Sequence, residues 1–256
     1  MLRFFRQIRK KLMEHPSKGR TRNKVRTYLL YAVGEILLVV IGILLALQVN
    51  NWNEERIELN LRDDLIANYA KDLKTNADYI ERRKLSVEND LECINQITDR
   101  LKASSISTDT LKNIALIEFS PIYYAFSELK NDTFSSLVSN NQLRLMPDEL
   151  TAWMVDINFR MVDIVSTQKN VAELYRDNLT EYTFKYPMPI EYSLYSTFKT
   201  ESLWNSLNQD QWMLAFNGVM FTKKAGYTSM LPRADSLLVK IDRVLNYIDS
   251  NYSSQN

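Results

Sequence analysis

The sequence predicts an all-α protein in which an N-terminal transmembrane helix continues into a long helix and is followed by an antiparallel helical bundle. Three observations carry that prediction. Only five of the 256 residues are Gly and six are Pro, about a third of the ordinary combined share, which leaves too few turn-formers for a β-sandwich or a Gly-rich nucleotide-binding fold. Residues 28–49 read YLLYAVGEILLVVIGILLALQV, with one charge in 22 residues. Between Gly42 and Pro121 the chain has neither Gly nor Pro, and its apolar residues recur at helical spacing. Charge divides the chain as sharply as hydropathy does. Residues 1–27 hold ten Lys/Arg against one Glu, so a formal net charge of +1 conceals a basic start and an acidic remainder.

The basic N-terminal segment, residues 1–27, opens MLRFFRQIRKKL. Its apolar side chains, Phe4 and Phe5 among them, suit a segment lying in the anionic cytoplasmic leaflet, with membrane lipids as the partner. Without a folded reader, no nucleic-acid partner is expected. The next 22 residues, as a helix, extend about 33 Å and cover a hydrocarbon core of roughly 30 Å. Fourteen Leu, Ile and Val residues outweigh the insertion cost of Glu35. The run is too long for a signal-peptide core, and its end offers a poor cleavage site, so an uncleaved signal anchor is predicted. Seven Lys/Arg in residues 10–27 face two in residues 50–67, and this asymmetry puts the N-terminus in the cytoplasm and residues 50–256 on the far side. Trp52 fits the membrane interface. Asn50, Asn51 and Asn53 around it suit solvation of that boundary.

Within the span, Glu35 is the residue of interest, since an ionisable group in an apolar run usually faces protein or water. Gly42 and Ala46 lie seven and eleven residues on, within about 20° of the same helical face. Small residues admit a second helix closely, and a carboxyl group beside the contact can hydrogen-bond across it. Glu35, Gly42 and Ala46 are therefore the candidate association face, in competition with simple tolerance of a snorkelling carboxyl.

The segment GEILLVVIGILLALQVNNWNEE, residues 34–55, preceded by YLLYAV and by MLRFFRQIRKKL at the start, resembles the signature of an uncharacterised family of small single-pass membrane proteins of Bacteroidota. The likeness is close over the first 60 residues. LKNDTFSSLVSNNQL at 129–143 is compatible with it. The resemblance implies an envelope location in a Gram-negative bacterium and implies no activity; with the orientation above, the expected place is the inner membrane with residues 50–256 in the periplasm.

Beyond the membrane, Leu59, Ile66, Leu73, Ile80, Val87, Ile94 and Leu101 recur every seven residues. The companion column is mixed, with Arg62, Tyr69, Asn76, Arg83, Asp90 and Ile97, so packing inside one chain's bundle is favoured over a parallel coiled coil. A second long helix should open at Pro147, Asp148 and Glu149. Its stripe is Leu150, Met154, Ile157, Met161, Ile164, Val171, Tyr175 and Tyr182, interrupted at Gln168 and Asn178, and Pro187 and Pro189 end it. Short helices are predicted over 108–117, 121–130, 133–140 and 200–225. A last helix should start near Pro232 and reach Tyr252, with Leu238, Ile241, Leu245 and Ile248 inward. The aromatic residues between Tyr175 and Phe198 should pack a loop onto the bundle.

Catalytic patterns are missing from the sequence. His15, the only histidine, lies on the opposite side of the membrane from the outer domain, which precludes a Ser-His-Asp or Cys-His arrangement there. One Cys and one His cannot form a conventional zinc site, and no phosphate-binding glycine motif occurs. Cys93 is expected as a small core residue, or as a thiol able to bridge two chains. No cofactor or metal is expected. The functional expectation is a membrane-anchored interaction, scaffold or envelope-sensing protein that is not an enzyme, as a homo-oligomer or with another membrane protein. The alternative is an accessory subunit of a membrane transport or enzyme complex.

Overall fold

A computed structural model describes residues 21–103 and 105–252. Helices dominate, and no strand occurs among the described residues. The order is α1 (Thr21–Leu101), α2 (Thr108–Asn113) running into a π-helical turn (Ile114–Glu118), α3 (Asp132–Ser139), a 3₁₀ turn (Leu143–Leu145), α4 (Asp148–Lys185), a second 3₁₀ turn (Ile190–Tyr192), α5 (Thr197–Asn205) and α6 (Gln209–Tyr252). The chain divides into two compact units, Met1–Leu59 and Asn60–Asn256.

In the first unit, α1 carries the apolar run, and every side chain described between Leu29 and Asn50 is exposed. The second unit holds the core. The heptad seam of α1 is buried from Ile66 through Leu73, Ile80 and Val87 to Ile94, covered by this chain's own helices as expected for an intramolecular bundle. Cross-links from α1 to α6 run Arg62 to Tyr252, Lys84 to Asp235 and Asp90 to Lys223, so the two helices are antiparallel. Between α4 and α6 the pairs are Asp156 to Lys240, Gln168 to Gly226 and Tyr182 to Trp212, again antiparallel. α6 thus opposes both partners, so α1 and α4 point the same way, and they touch where Asn76 meets Met161.

Two parallel helices need a connection that returns along their length, and residues 119–131 supply it. Lys223 ties Ser120 to the level of Asp90, and Asn76 holds Lys130. The 14 α1 residues between those levels span about 21 Å, whereas the ten residues from Ser120 to Lys130 would cover only about 15 Å as a helix. The predicted helix over 121–130 therefore does not form, and a non-helical strap takes its place.

The remaining boundaries follow local chemistry. Ser107 caps α2 by accepting from the Thr110 N–H, and Ser196 caps α5 by accepting from Lys199 N–H. α4 starts after Pro147 with Asp148 and Glu149 in its first turn and stops at Lys185, just before Pro187. The expected break before Pro232 is corrected: α6 is one helix of 44 residues with Pro232 inside it. An interior proline costs about 3 kcal/mol, and the flanking Met230 and Ala234 are fully buried against the bundle. Burial of both flanks offsets the lost hydrogen bond. The short helix expected over 200–225 is accordingly split, its first part forming α5 and the rest joining α6.

Candidate functional site

The predicted association face lies on one continuous helix, with Glu35, Gly42 and Ala46 all exposed. A Cβ added to Gly34 or Gly42 would meet nothing within 4 Å. Trp52 is exposed as well, and Asn50 donates to Glu54 one turn further at 2.8 Å. Phe4 and Phe5 lie outside the described residues. Two other expectations need correction. Cys93 is exposed, not part of the core, because it directly precedes seam residue Ile94 and so points off the buried face. The aromatic segment divides: Tyr175 and Tyr182 are buried and Tyr186 packs on the core, but Phe184, Tyr195 and Phe198 are exposed.

In the second unit the polar interruptions of the apolar stripes converge on the strap. Asn76, buried in the mixed column of α1, donates Nδ2 to the Lys130 carbonyl at 2.8 Å and accepts the Lys130 N–H at 2.7 Å. The Asp72 carboxylate accepts from the Thr133 hydroxyl at 2.6 Å. Further along, Lys223 Nζ sits 2.7 Å from Asp90 Oδ2 and donates to the Ser120 carbonyl at 2.8 Å. Tyr227 donates its hydroxyl to the same Asp90 oxygen at 2.8 Å and accepts the Tyr124 N–H at 3.0 Å. Tyr175 donates to the Pro121 carbonyl, and Tyr123 donates to Gln168, whose amide reaches the Gly226 carbonyl. Backbone groups that a non-helical segment would leave unsatisfied are thus met by side chains of all three long helices.

Gly226 is required by this packing. A Cβ there would sit 2.3 Å from the Tyr123 hydroxyl and 2.6 Å from Val171 Cγ1. The Tyr123 ring instead stacks on Tyr227, centroids 5.0 Å apart, and leans on Tyr175 at 5.3 Å. Lys223 is 1% exposed. Burial pushes its ammonium down from the ordinary lysine range, opposed by the Asp90 carboxylate. Burial also pushes the hydroxyls of Tyr69, Tyr123, Tyr175, Tyr182 and Tyr227 well above the ordinary tyrosine value.

These shifts give an expected pH dependence. The folded state keeps the five tyrosine protons at pH values where the unfolded chain has released them, so their contribution is full below about pH 10 and is lost as pH rises beyond it. Lys223 has the opposite sign: the unfolded chain binds its proton more tightly, so its contribution rises with pH up to the ordinary lysine value. The raised tyrosine hydroxyls outnumber the lowered groups Lys223 and Tyr79, so alkaline unfolding should begin above about pH 10. Exposed tyrosines should ionise first, and the buried ones together with loss of the helical circular dichroism signal. Complete tyrosine ionisation in a still helical protein would contradict this burial pattern.

No group of His, Cys, Asp and Glu among the described residues could hold a metal ion. The hydrogen bonds of this polar cluster run to the strap and hold it against the three long helices.

The model of a family described only as one of unknown function, DUF6090, matches residues 35–184, more than half of the chain. The chain belongs to this family. No curated protein and no solved structure matches it. The DUF6090 match begins at Glu35 and takes in Gly42, Ala46, Trp52, the heptad seam, the strap and nearly all of α4. It stops before α6, so Asp90 and the strap lie inside the matched residues while Lys223, Gly226 and Tyr227 lie beyond them. Nothing in these comparisons points to catalysis. Among the described residues one helix is long and apolar enough to cross a membrane.

Proposed function

We propose that this DUF6090 member is a single-pass protein of the inner membrane of a Gram-negative bacterium, of the Bacteroidota type its N-terminal signature resembles. Its N-terminus is cytoplasmic and residues 50–256 form a periplasmic domain that works by interaction, as a scaffold or envelope sensor, without a catalytic site of its own. One observation carries the reading. The apolar stretch of α1 reaches a mean hydropathy of 2.5, and none of that window is buried. A core helix of comparable hydropathy would be covered by its own protein, whereas lipid is the solvent that suits an exposed one. The excess of Lys/Arg before the span, seven in residues 10–27 against two in residues 50–67, supports the orientation.

Vesicle flotation tests the anchor. The full chain should float with phosphatidylcholine vesicles and resist extraction by alkaline carbonate. A fragment of residues 54–256, which retains the whole compact unit Asn60–Asn256, should stay soluble and helical without metal or cofactor. A full chain that remains soluble, or a fragment that floats equally well, would contradict an anchor confined to α1.

A further inference from the structure

We propose that the membrane helix pairs in parallel with a second copy of this chain through the face that carries Glu35, Gly42 and Ala46. The pairing rests on the reading that residues 28–49 span the bilayer. Lipid covers Leu, Ile and Val side chains without cost, but it offers no partner to Glu35, which is exposed on the helix and lies about 5 Å from the middle of the span. An ionisable group at that depth is expected to face protein or water. Gly42 and Ala46 stand about two and three turns above it on the same face, and the space beside Gly42 is open.

The occupant follows from orientation. The basic segment inserts every copy in the same direction, so a second copy brings its own Glu35 to the same depth. In the acid form each carboxyl group both donates and accepts, which makes two of them complementary to one another. A two-fold axis along the membrane normal then places Gly42 against Gly42 and Ala46 against Ala46, where two backbones can approach closely. Leu44 lies about 180° from Glu35 on the helix, so the same geometry turns it toward lipid.

Oxidative cross-linking of the full chain in phosphatidylcholine vesicles tests this. The exposed Cys93 is removed as Cys93→Ser, and a single cysteine is placed by Ala46→Cys or, as the opposite face, Leu44→Cys. Covalent dimer is expected from Ala46→Cys at several times the yield from Leu44→Cys. Adding Glu35→Leu should lower the Ala46→Cys yield about fivefold or more, since the hydrogen bonds between the two carboxyl groups are lost, while Glu35→Gln, whose amide still donates and accepts, should keep most of it. Equal yields from the two faces, or a Glu35→Leu protein that cross-links like its parent, would overturn the pairing. Flotation of the same vesicles separates the two readings: floating protein without a face preference refutes the pair and leaves the anchor standing, and protein that does not float refutes both.

Discussion

Asp90→Ala should destabilise the fragment of residues 54–256 by about 3–5 kcal/mol, because it strands a buried ammonium. Lys223 has Asp90 as its only anionic partner within 4.0 Å among the described residues, at 2.7 Å, and its other hydrogen bond goes to the Ser120 carbonyl. The substitution also removes the acceptor of the Tyr227 hydroxyl, and both losses fall at the entrance to the strap. Urea unfolding followed by circular dichroism measures the effect. The pair itself need not be stabilising: replacing both partners by apolar residues of similar size, Asp90→Leu with Lys223→Met, should recover most of the loss. A single-substitution cost below about 1 kcal/mol, as for an exposed pair, would mean that Lys223 reaches water.

Trp212→Ala should cost a similar amount, about 3–5 kcal/mol. Trp212 is fully buried near the start of α6, stacked on Phe216 with centroids 4.7 Å apart and edge-on to Trp204 at 5.1 Å. Its Nε1 donates to the Tyr182 hydroxyl at 2.8 Å, joining α6 to the end of α4. Trp212→Phe keeps much of the apolar contact and forfeits that hydrogen bond of about 1 kcal/mol, so it should fall clearly between the parent and Trp212→Ala in the same urea experiment. Equal losses for the two variants would show that the hydrogen bond, rather than the ring packing, holds α5 and α6 to α4.

The helices that the sequence states most openly are those whose pattern has a single cause. The seven-residue column from Ile66 to Ile94 is buried because it meets α4 and α6, and the α4 stripe behaves likewise from Leu150 to Tyr182 apart from the half-buried Val171. Its two apparent interruptions carry the more specific contacts: Gln168 is buried between Tyr123 and Gly226, and Asn178 donates to Thr222. In the mixed column of α1, Asn76 and Asp90 are polar for the same reason, since each satisfies groups of the strap or of α6. Periodicity alone registers such residues as gaps in an apolar face. Their partners lie 54 and 137 residues away in sequence, beyond the reach of any local pattern.

Where local signals misled, tertiary burial prevailed. Residues 121–130 have a composition suited to a helix, but the strap has a distance to cross, and its backbone finds side-chain partners that a helix would not need. Pro232 signals a helix start by its chemistry, and the packing of Met230 and Ala234 carries α6 through it. The buried lysine had no sequence signal at all, because a lysine at that spacing on a long helix ordinarily faces water. The membrane face is a different case. Glu35 is legible because an apolar helix makes any carboxyl group conspicuous, and Gly42 and Ala46 because they share its face.

Labelling by a membrane-impermeant thiol reagent tests the proposed orientation across the membrane. In a Cys93→Ser background of the full chain, single cysteines are placed by Lys18→Cys and by Ser250→Cys, the latter exposed near the end of α6, in cells whose outer membrane alone has been permeabilised. Strong labelling is expected at Ser250→Cys, and labelling at Lys18→Cys only after detergent lysis. Labelling of Lys18→Cys in intact inner-membrane vesicles of native orientation, with Ser250→Cys protected, would contradict that orientation.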